Sequence, residues 1–433
     1  MDKSRYMPRI IDEQLARYLK TFGAVCIEGP KWCGKTWTSS FHSSSEIYIG
    51  DPAGGFQNRR LAEISPDLVL DGEFPRLIDE WQEVPQIWDA VRSKVDQTGR
   101  KGQYILTGSS TPNYKGVLHS GAGRIGRLRM RPMSLYESGD SVGLISFKEL
   151  CYGKISSASG DIFHGKFIGD TPLMKLIELI IRGGWPESLS LQIDQSRIIA
   201  SEYLNAIIEN DVHRLDGVKR NVNKMRLLLR SLARNEGSLV SNRTLKNDIK
   251  EVDDEDVDSE TVAEYLNIFD RLYITDNLPP YSSGIRSSVR VRQSVKRFFA
   301  DPSLTCALLR ATPAGLINDL NTLGFLFEAL CVRDLRIYAE AFGGSVFHYR
   351  DYRGREIDLV IERPDGHWCA FEVKLGANQI DEAAAKLVSL RDEIVSDSAG
   401  KKPEVLVIVC GLANAAYQRP DGVFVVPIRA LSA

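Results

Sequence analysis

The stretch "GPKWCGKT", Gly29 to Thr36, satisfies the pattern G-x-x-x-x-G-K-[ST], and it sits directly behind the apolar run "AVCIE" with a helix-like segment after it. That strand–loop–helix setting gives the short pattern its meaning. Gly29 and Gly34 let the backbone curl so that successive N–H groups face phosphate oxygens, while Pro30, Lys31, Trp32 and Cys33 supply the intervening main chain. Lys35 can then reach β- and γ-phosphate oxygens, and Thr36 can ligand Mg²⁺.

Working outward from this loop, "EIYIGD", "PRLIDE" and "YILTGS" read as further short buried strands separated by helix-like stretches. This is the alternation of a parallel α/β sheet. The run "PRLIDEWQ" closes on Asp79 and Glu80, which places one carboxylate for the Mg²⁺ shell and a second to polarise an attacking water. Ser109, at the end of "YILTGSS", is positioned to orient the γ-phosphate or that water; a plain strand-ending turn is the competing reading. The segment "GAGRIGRLRMRP" supplies Arg124, Arg127, Arg129 and Arg131. Of these Arg124, behind a Gly-Ala-Gly, is the first choice for a cation donated across a subunit boundary to the γ-phosphate, and a solvated basic stretch is the alternative.

The chain has 433 residues, 43% hydrophobic and 26% charged, with a net charge of −2. That length exceeds one compact core, so several domains are expected. The near-neutral balance gives no global attraction to nucleic acid, so any such binding must come from local patches. The seven cysteines lie far apart without a C-x-x-C pair, which fits reduced thiols and leaves any metal to oxygen ligands. The charged start and the lack of any long apolar run lead us to expect a cytoplasmic protein without a membrane span.

From Phe147 to about Asn235 the pattern turns helical, with "LMKLIELIIRGG" stopping at a Gly-Gly and "RIIASEYLNAIIENDV" following. From Glu236 to about Pro280 come a helix, the acidic turn "KEVDDEDVDSE", the helix "TVAEYLNIFDRLYI" and a strand-like tail. Val262, Tyr265, Leu266, Phe269 and Leu272 recur at helical spacing there, and the arrangement resembles a winged helix. After Phe298 an amphipathic helix, "LGFLFEALCVRDLRIYAEAF", leads into "REIDLVIERPDGHWCAFEVK" and then into "EVLVIVCG" and "GVFVVP", as in a second α/β domain.

"IEGPKWCGKTW", "LIDEWQEVPQIW", "YILTGSS", "GRIGRLRMRPMSLYE", "RGGWPESL", "FFADPSL" and "EIDLVIERPDGHWCAFEVK" follow one another in this chain. In that order they resemble a family of prokaryotic AAA-type ATPases, of the AAA+ superfamily, over nearly the whole chain. Members carry a helical and winged-helix region of unassigned function behind the ATPase core, and many end in a restriction-endonuclease-like, PD-(D/E)xK, domain. The resemblance implies ATP and Mg²⁺ as cofactors, Gly29 to Thr36 as the Walker A loop, Asp79 and Glu80 as the Walker B pair, Ser109 as sensor and Arg124 as finger. The "KWC" inside the loop departs from many relatives at positions where mainly backbone matters. The expected division is an ATPase domain at 1–140, a helical domain at 141–235, a winged-helix-like region at 236–297 and a nuclease-like domain at 298–433.

A restriction-type nuclease core needs an Asp at one strand and a Glu-x-Lys on its neighbour, so that strand pairing gathers carboxylates around a divalent ion while the lysine polarises water or the scissile phosphate. Asp358 and, fourteen positions later, Glu372-Val373-Lys374 have that spacing, and Glu328 on the preceding helix can point into the same site. The apolar "LVI" and "CAF" beside the acids suggest buried strands, where a carboxylate wants a cation. The expectation is therefore a metal set of Glu328, Asp358 and Glu372 with Lys374 as helper, and an ordinary hairpin with charged strand ends is the competing reading.

The helix "TVAEYLNIFDRLYI" exposes Glu264 and Asp270 behind an acidic turn, which makes it a poor reader of DNA. "VHRLDGVKRNVNKMRLLLR", with Arg214, Lys219, Arg220 and Lys224, and "IRSSVRVRQSVKR", with Arg286, Arg290, Arg292 and Lys296, are better candidates. A solvated helix or edge-strand face is the competing reading for each, and the commoner origin of a single charge run. The leading expectation is a homo-oligomeric ATPase acting on DNA, branched or single-stranded forms included, with a C-terminal domain that binds or cuts it. The alternative is a nucleotide-dependent switch controlling a protein partner.

Overall fold

The computed structural model describes residues 2–109, 117–154, 166–215, 217–250, 257–282, 294–351, 353–396 and 402–433. Arg286, Arg290, Arg292 and most of the acidic "KEVDDEDVDSE" turn lie outside these, as does the side chain of Arg214. The chain forms two compact units: the first comprises 1–132, 206–220 and 266–274, the second 133–205, 221–265 and 275–433.

The first unit is built on a five-stranded parallel sheet of β1 (Ala24–Glu28), β2 (Ser45–Tyr48), β3 (Arg76–Asp79), β4 (Tyr104–Gly108) and β5 (Ile125–Arg129), in the order β2-β3-β4-β1-β5. All four strands expected from sequence are present; β5 is additional, and it arises from the arginine-rich "IGRLR". β3 and β4 are buried at every position and β1 at all but its last, the near-continuous apolar run that strands covered on both faces require. Helix Gln86–Thr98 turns Ile87, Trp88, Val91 and Val95 inward and ends at Gly99, whose φ of 63° makes the left-handed cap. Trp88 packs on Trp81 at 4.8 Å in the centre of this core. Since β1 lies between β4 and β5, the chain's crossovers diverge there, and the carboxyl end of β1 is the crevice where such sheets hold ligands.

The second unit holds a seven-stranded mixed sheet and most of the helices. Its strands are β6 (Ile145–Ser146), β7 (Lys166–Phe167), β8 (Ser345–Arg350), β9 (Glu356–Glu362), β10 (Trp368–Lys374), β11 (Val405–Cys410), β12 (Ala415–Gln418), β13 (Phe424–Pro427) and β14 (Leu431–Ser432). The sheet order is β7-β12-β13-β11-β10-β9-β8, and β6 and β14 pair separately. β8, β9 and β10 form an antiparallel meander, with Phe371 opposite Leu359 and Ala370 opposite Val360. After the crossover helix Ile380–Ser396, β11 pairs parallel with β10 and β13 parallel with β11. Ala383, Ala384, Leu387 and Leu390 of that helix meet Val360, Ala370, Leu406 and Ile408 in one core. The expected helices Leu173–Arg182, Asn242–Lys250, Ser259–Arg271 and Leu320–Ala341 are present; the third belongs to this unit up to Tyr265 and to the first unit from Leu266, and Val262, Tyr265, Leu266, Phe269 and Leu272 are all buried. Glu264 and Asp270 are exposed. Between the second and last of these helices, Thr275–Phe299 and Leu278–Lys296 pair as isolated antiparallel bridges.

Three of the sequence words that stood out meet at one buried network in this unit. The Arg333 guanidinium pairs with Asp301 at 2.8 Å and Asp334 at 2.7 Å. Asp301 accepts from the Gly184 amide at 3.0 Å, and Asp334 accepts from the Leu135 amide at 2.9 Å. Trp185 Nε1 donates to Ser303 Oγ at 2.9 Å. A Cβ on Gly184 would lie 2.1 Å from the Met133 carbonyl oxygen, so "RGGW" is glycine because backbone must approach backbone. All seven cysteines are buried and none is disulfide-bonded. No helix among the described residues is long and apolar enough to cross a membrane.

Candidate active site and a second polar cluster

The phosphate loop leaves the carboxyl end of β1 and turns into helix Lys35–Phe41. Gly29 has φ +153° and Gly34 φ +105°, and Trp32 adopts φ +63° between them, a conformation non-glycine residues hold only under constraint. One constraint is Arg9, whose buried guanidinium donates to the Cys33 carbonyl at 2.7 Å and to the Arg131 carbonyl at 2.9 Å. Lys35 is buried and donates to the carbonyls of Gly29 at 3.0 Å and Pro30 at 2.7 Å. Its ammonium meets neutral carbonyls there, so its positive charge is available to an anion seated on the loop.

The carboxylates stand where the strands deliver them. Asp79 Oδ1 accepts from Thr36 Oγ1 at 2.9 Å and from Thr107 Oγ1 at 2.7 Å. Burial pushes its carboxyl up, and the Thr107 hydroxyl opposes that shift without cancelling it. Glu80 is held at φ +56°, its amide donating to Thr107 Oγ1 at 3.1 Å, so β3 ends in a kink that turns its carboxylate aside from that of Asp79. Ser109 Oγ donates to Glu80 Oε2 at 3.1 Å, and the Gln82 amide also donates to Glu80. Gln82 Oε1 is buried and has no hydrogen-bond partner among the described residues, an acceptor left over at the place where a water would be oriented. Lys31, Phe56, Glu80, Gln82, Ser109 and Asp211 line one cleft of about 760 Å³, within the range of small-molecule sites.

The residues therefore fit ATP and Mg²⁺. The loop and Lys35 would take the phosphates, and Thr36 and Asp79, already in contact, are the hard oxygen donors that Mg²⁺ prefers. Sequence reading did not find Gln82, or Asp211, whose carboxylate pairs with Lys31 Nζ at 2.7 Å. Asp211 closes a π-helical turn, Ile207–Asp211, a feature with no local signature of its own.

Arg124 lies elsewhere. Its carbonyl accepts from the Ala24 amide at the amino end of β1, and its Nε donates to Asp96 at 2.7 Å. With five residues in β1 at about 3.3 Å each, the phosphate loop is roughly 15 Å away along the strand, so Arg124 does not serve the site of its own chain. Arg127 and Arg129, from the same arginine run, are nearer the carboxyl end: Arg127 pairs with Glu28 at 3.1 Å, and Arg129 lies 5.1 Å from the centre of the Tyr273 ring. Burial pushes the Glu28 carboxyl up, against Arg127 and the Tyr273 hydroxyl, which donates to it at 3.2 Å.

In the second unit the pairing of β9 with β10 brings together the other three expected acids. Val373 N donates to Asp358 Oδ2 at 2.9 Å, and Lys374 Nζ lies 2.8 Å from Glu372 Oε2 and 3.6 Å from Asp358 Oδ2. Glu328 reaches the same cluster from helix Leu320–Ala341 through Lys296, which hydrogen-bonds it and lies 3.9 Å from Asp358 Oδ1. Lys386 occupies Glu372 Oε1 at 2.8 Å. Burial drives Glu328 up to about 7 despite Lys296, and drives the Glu372 carboxyl up as well. At Asp358 burial is overcome by Lys296 and Lys374, which hold it below the usual carboxylate range. As placed, this donor set does not fit a divalent ion: each acid is engaged by an ammonium, and no group of three His, Cys, Asp or Glu side chains among the described residues is disposed to hold a metal.

Comparison with known proteins agrees with the first site. Residues 21–139 match a family described as an AAA domain, whereas 173–315 and 323–431 match two domains of unknown function, DUF8612 and DUF4143. Uncharacterized proteins of Mycobacterium bovis (Mb2031c) and Mycobacterium tuberculosis (Rv2008c) are each 25% identical over 368 residues, covering 83% of this chain and 72% of theirs. Among solved structures, the Walker-type ATPase PABY2304 of Pyrococcus abyssi overlaps 71% of this chain and 97% of its own at 13% identity and a TM-score of 0.45. The Thermotoga maritima RuvB Holliday junction branch migration motor overlaps 62% and 89% at 13% identity and a TM-score of 0.27, and overlaps this loose transfer nothing to the present chain. The matched AAA region, the parallel sheet and the Lys35–Thr36–Asp79–Glu80 geometry together make the first unit a P-loop ATPase of the AAA+ type.

Proposed function

We propose that this ATPase acts on DNA as a homo-oligomer, and that the β8–β13 region of the second unit is a restriction-endonuclease-like domain that contacts nucleic acid. The observation that carries the nucleotide half is the convergence of Lys35, Thr36, Asp79, Glu80 and Ser109 at the carboxyl ends of three adjacent strands. Bound Mg²⁺ supplies charge neutralisation at the phosphates. The chain's own residues hold the phosphates through the loop amides and Lys35, take up the water's proton at Glu80, and orient that water with Ser109 and Gln82. The remoteness of Arg124 from its own cleft supports its donation to the γ-phosphate of a neighbouring subunit.

The nucleic-acid half is supported by the pairing that sets Asp358 beside Glu372 and Lys374, and by the basic run around Lys219. The test is the ATPase rate with and without single-stranded, duplex and branched DNA and RNA at several salt concentrations. DNA should raise the rate, less so as salt increases. An unchanged rate with every form, and no retention of any of them, would reject this reading. It would favour a nucleotide-dependent switch on a protein partner, which the ammonium-paired acids of the second cluster also suit.

A further inference from the structure

We propose that Lys296 takes the place of a divalent cation between Glu328 and Asp358, so that the acid cluster of the second unit is closed to metal and the domain holds nucleic acid without cutting it. The proposal rests on the restriction-endonuclease-like reading of that sheet, in which Asp358, Glu372 and Glu328 would otherwise be the metal ligands.

Three carboxyl groups face three ammonium groups, Lys296, Lys374 and Lys386, one cation for each acid. Both oxygens of Glu372 are engaged, one by Lys374 and one by Lys386, and both oxygens of Asp358 face donors, Val373 N and Lys374 on one side and Lys296 on the other. A nuclease core of this type needs the lysine of Glu-x-Lys alone. The two others are the departure, and they differ in kind. Lys386 stands on the crossover helix and is exposed, so it can swing away. Lys296 cannot: it is 7% exposed, its amide donates to the Leu278 carbonyl at 2.9 Å, and its carbonyl accepts from the Leu278 amide at 2.8 Å. Its ammonium also lies 5.8 Å from the centre of the Phe298 ring. For a metal ion to enter, this ammonium would have to leave a buried position in which it contacts two carboxylates, and a buried charge without partners is strongly disfavoured.

The experiment measures Mn²⁺ binding by loss of the free-ion electron paramagnetic resonance signal, without nucleotide. It uses the full chain carrying Asp79→Ala so that the ATPase cleft contributes no ion. With Lys296 present no site should be seen, and Lys386→Met should not create one. Lys296→Met should create one Mn²⁺ site per chain that disappears again when Asp358→Asn is added. An Asp358-dependent site in the chain that keeps Lys296 would overturn the proposal, as would a folded Lys296→Met chain that binds no Mn²⁺. If Lys296→Met does not fold, the comparison of chains with and without Asp358→Asn on the Lys296 background still decides. DNA retention in EDTA, measured alongside, separates the two readings: its absence sinks the nucleic-acid function and leaves the metal result standing.

Discussion

Replacing Gly29 by alanine tests whether the loop geometry, and not merely its composition, makes the ATPase site. A Cβ at Gly29 would lie 2.1 Å from the Met130 carbonyl oxygen, and real Cβ contacts begin near 3.0 Å, so something must move by about 0.9 Å. The Met130 side cannot yield easily, because its amide donates to the Glu28 carbonyl at 2.7 Å and continues the β1–β5 ladder. The displacement therefore falls on the loop that carries Lys35 and Thr36. Alanine at φ +153° adds about 1–3 kcal/mol of backbone strain. A 1 Å error in a positioning element costs about 100-fold in rate, and we expect kcat/KM for ATP to fall by that order while far-ultraviolet circular dichroism is unchanged. Gly50 provides the control: it borders the same cleft, but a Cβ there meets nothing within 4 Å, so Gly50→Ala should stay within about threefold of the parent. Parent-like turnover in Gly29→Ala, or equal damage in Gly50→Ala, would refute the argument.

Glu80→Gln should bind ATP and hydrolyse it about 10²–10⁴-fold more slowly, as loss of a general base requires; parent-like turnover would remove Glu80 from the chemistry. Mixing inactive Arg124→Ala with inactive Glu80→Gln should restore part of the ATPase rate if Arg124 acts on a neighbouring subunit, and no recovery would count against that role. Glu236 is fully buried, accepts from Thr305 at 2.7 Å and the Phe299 amide at 3.1 Å, and burial pushes its carboxyl up from 4.5 to about 8. Its folded value lies above its unfolded one, so its contribution to stability is complete below pH 4.5 and is lost as pH rises through 8. The loss amounts to about 5 kcal/mol at most. Urea midpoints of the parent should therefore fall relative to Glu236→Gln between pH 5 and 9, and parallel profiles would show that Glu236 is not the group responsible.

How much of this was legible in the sequence depended on how local each signal was. β1, β3 and β4 could be read because strands buried on both faces must be almost wholly apolar, and the loop could be read because its glycines answer to backbone angles set within eight residues; β2, half-buried along its length at a sheet edge, was legible from the apolar Ile47, Tyr48 and Ile49. β5 carries no such apolar run: Arg127 and Arg129 alternate outward along it, so its charge masks a strand whose other positions are buried. "RGGW" and "ADPS" were visible as words, but their common purpose, a backbone approach sealed around Asp301 and Arg333, exists only once segments more than 100 residues apart have met.

The acid cluster shows the same division at a single site. Asp358, Glu372 and Lys374 could be placed together from spacing, because a hairpin's register is a local property. Their counter-ions could not, since Lys296 is 32 residues from Glu328 and nothing in its neighbourhood marks it as buried. A short motif thus reports which carboxylates meet and is silent on what neutralises them. For a site whose chemistry is the competition between an ammonium and a divalent ion for the same oxygens, the neutralising partner decides the outcome, and here that partner is Lys296.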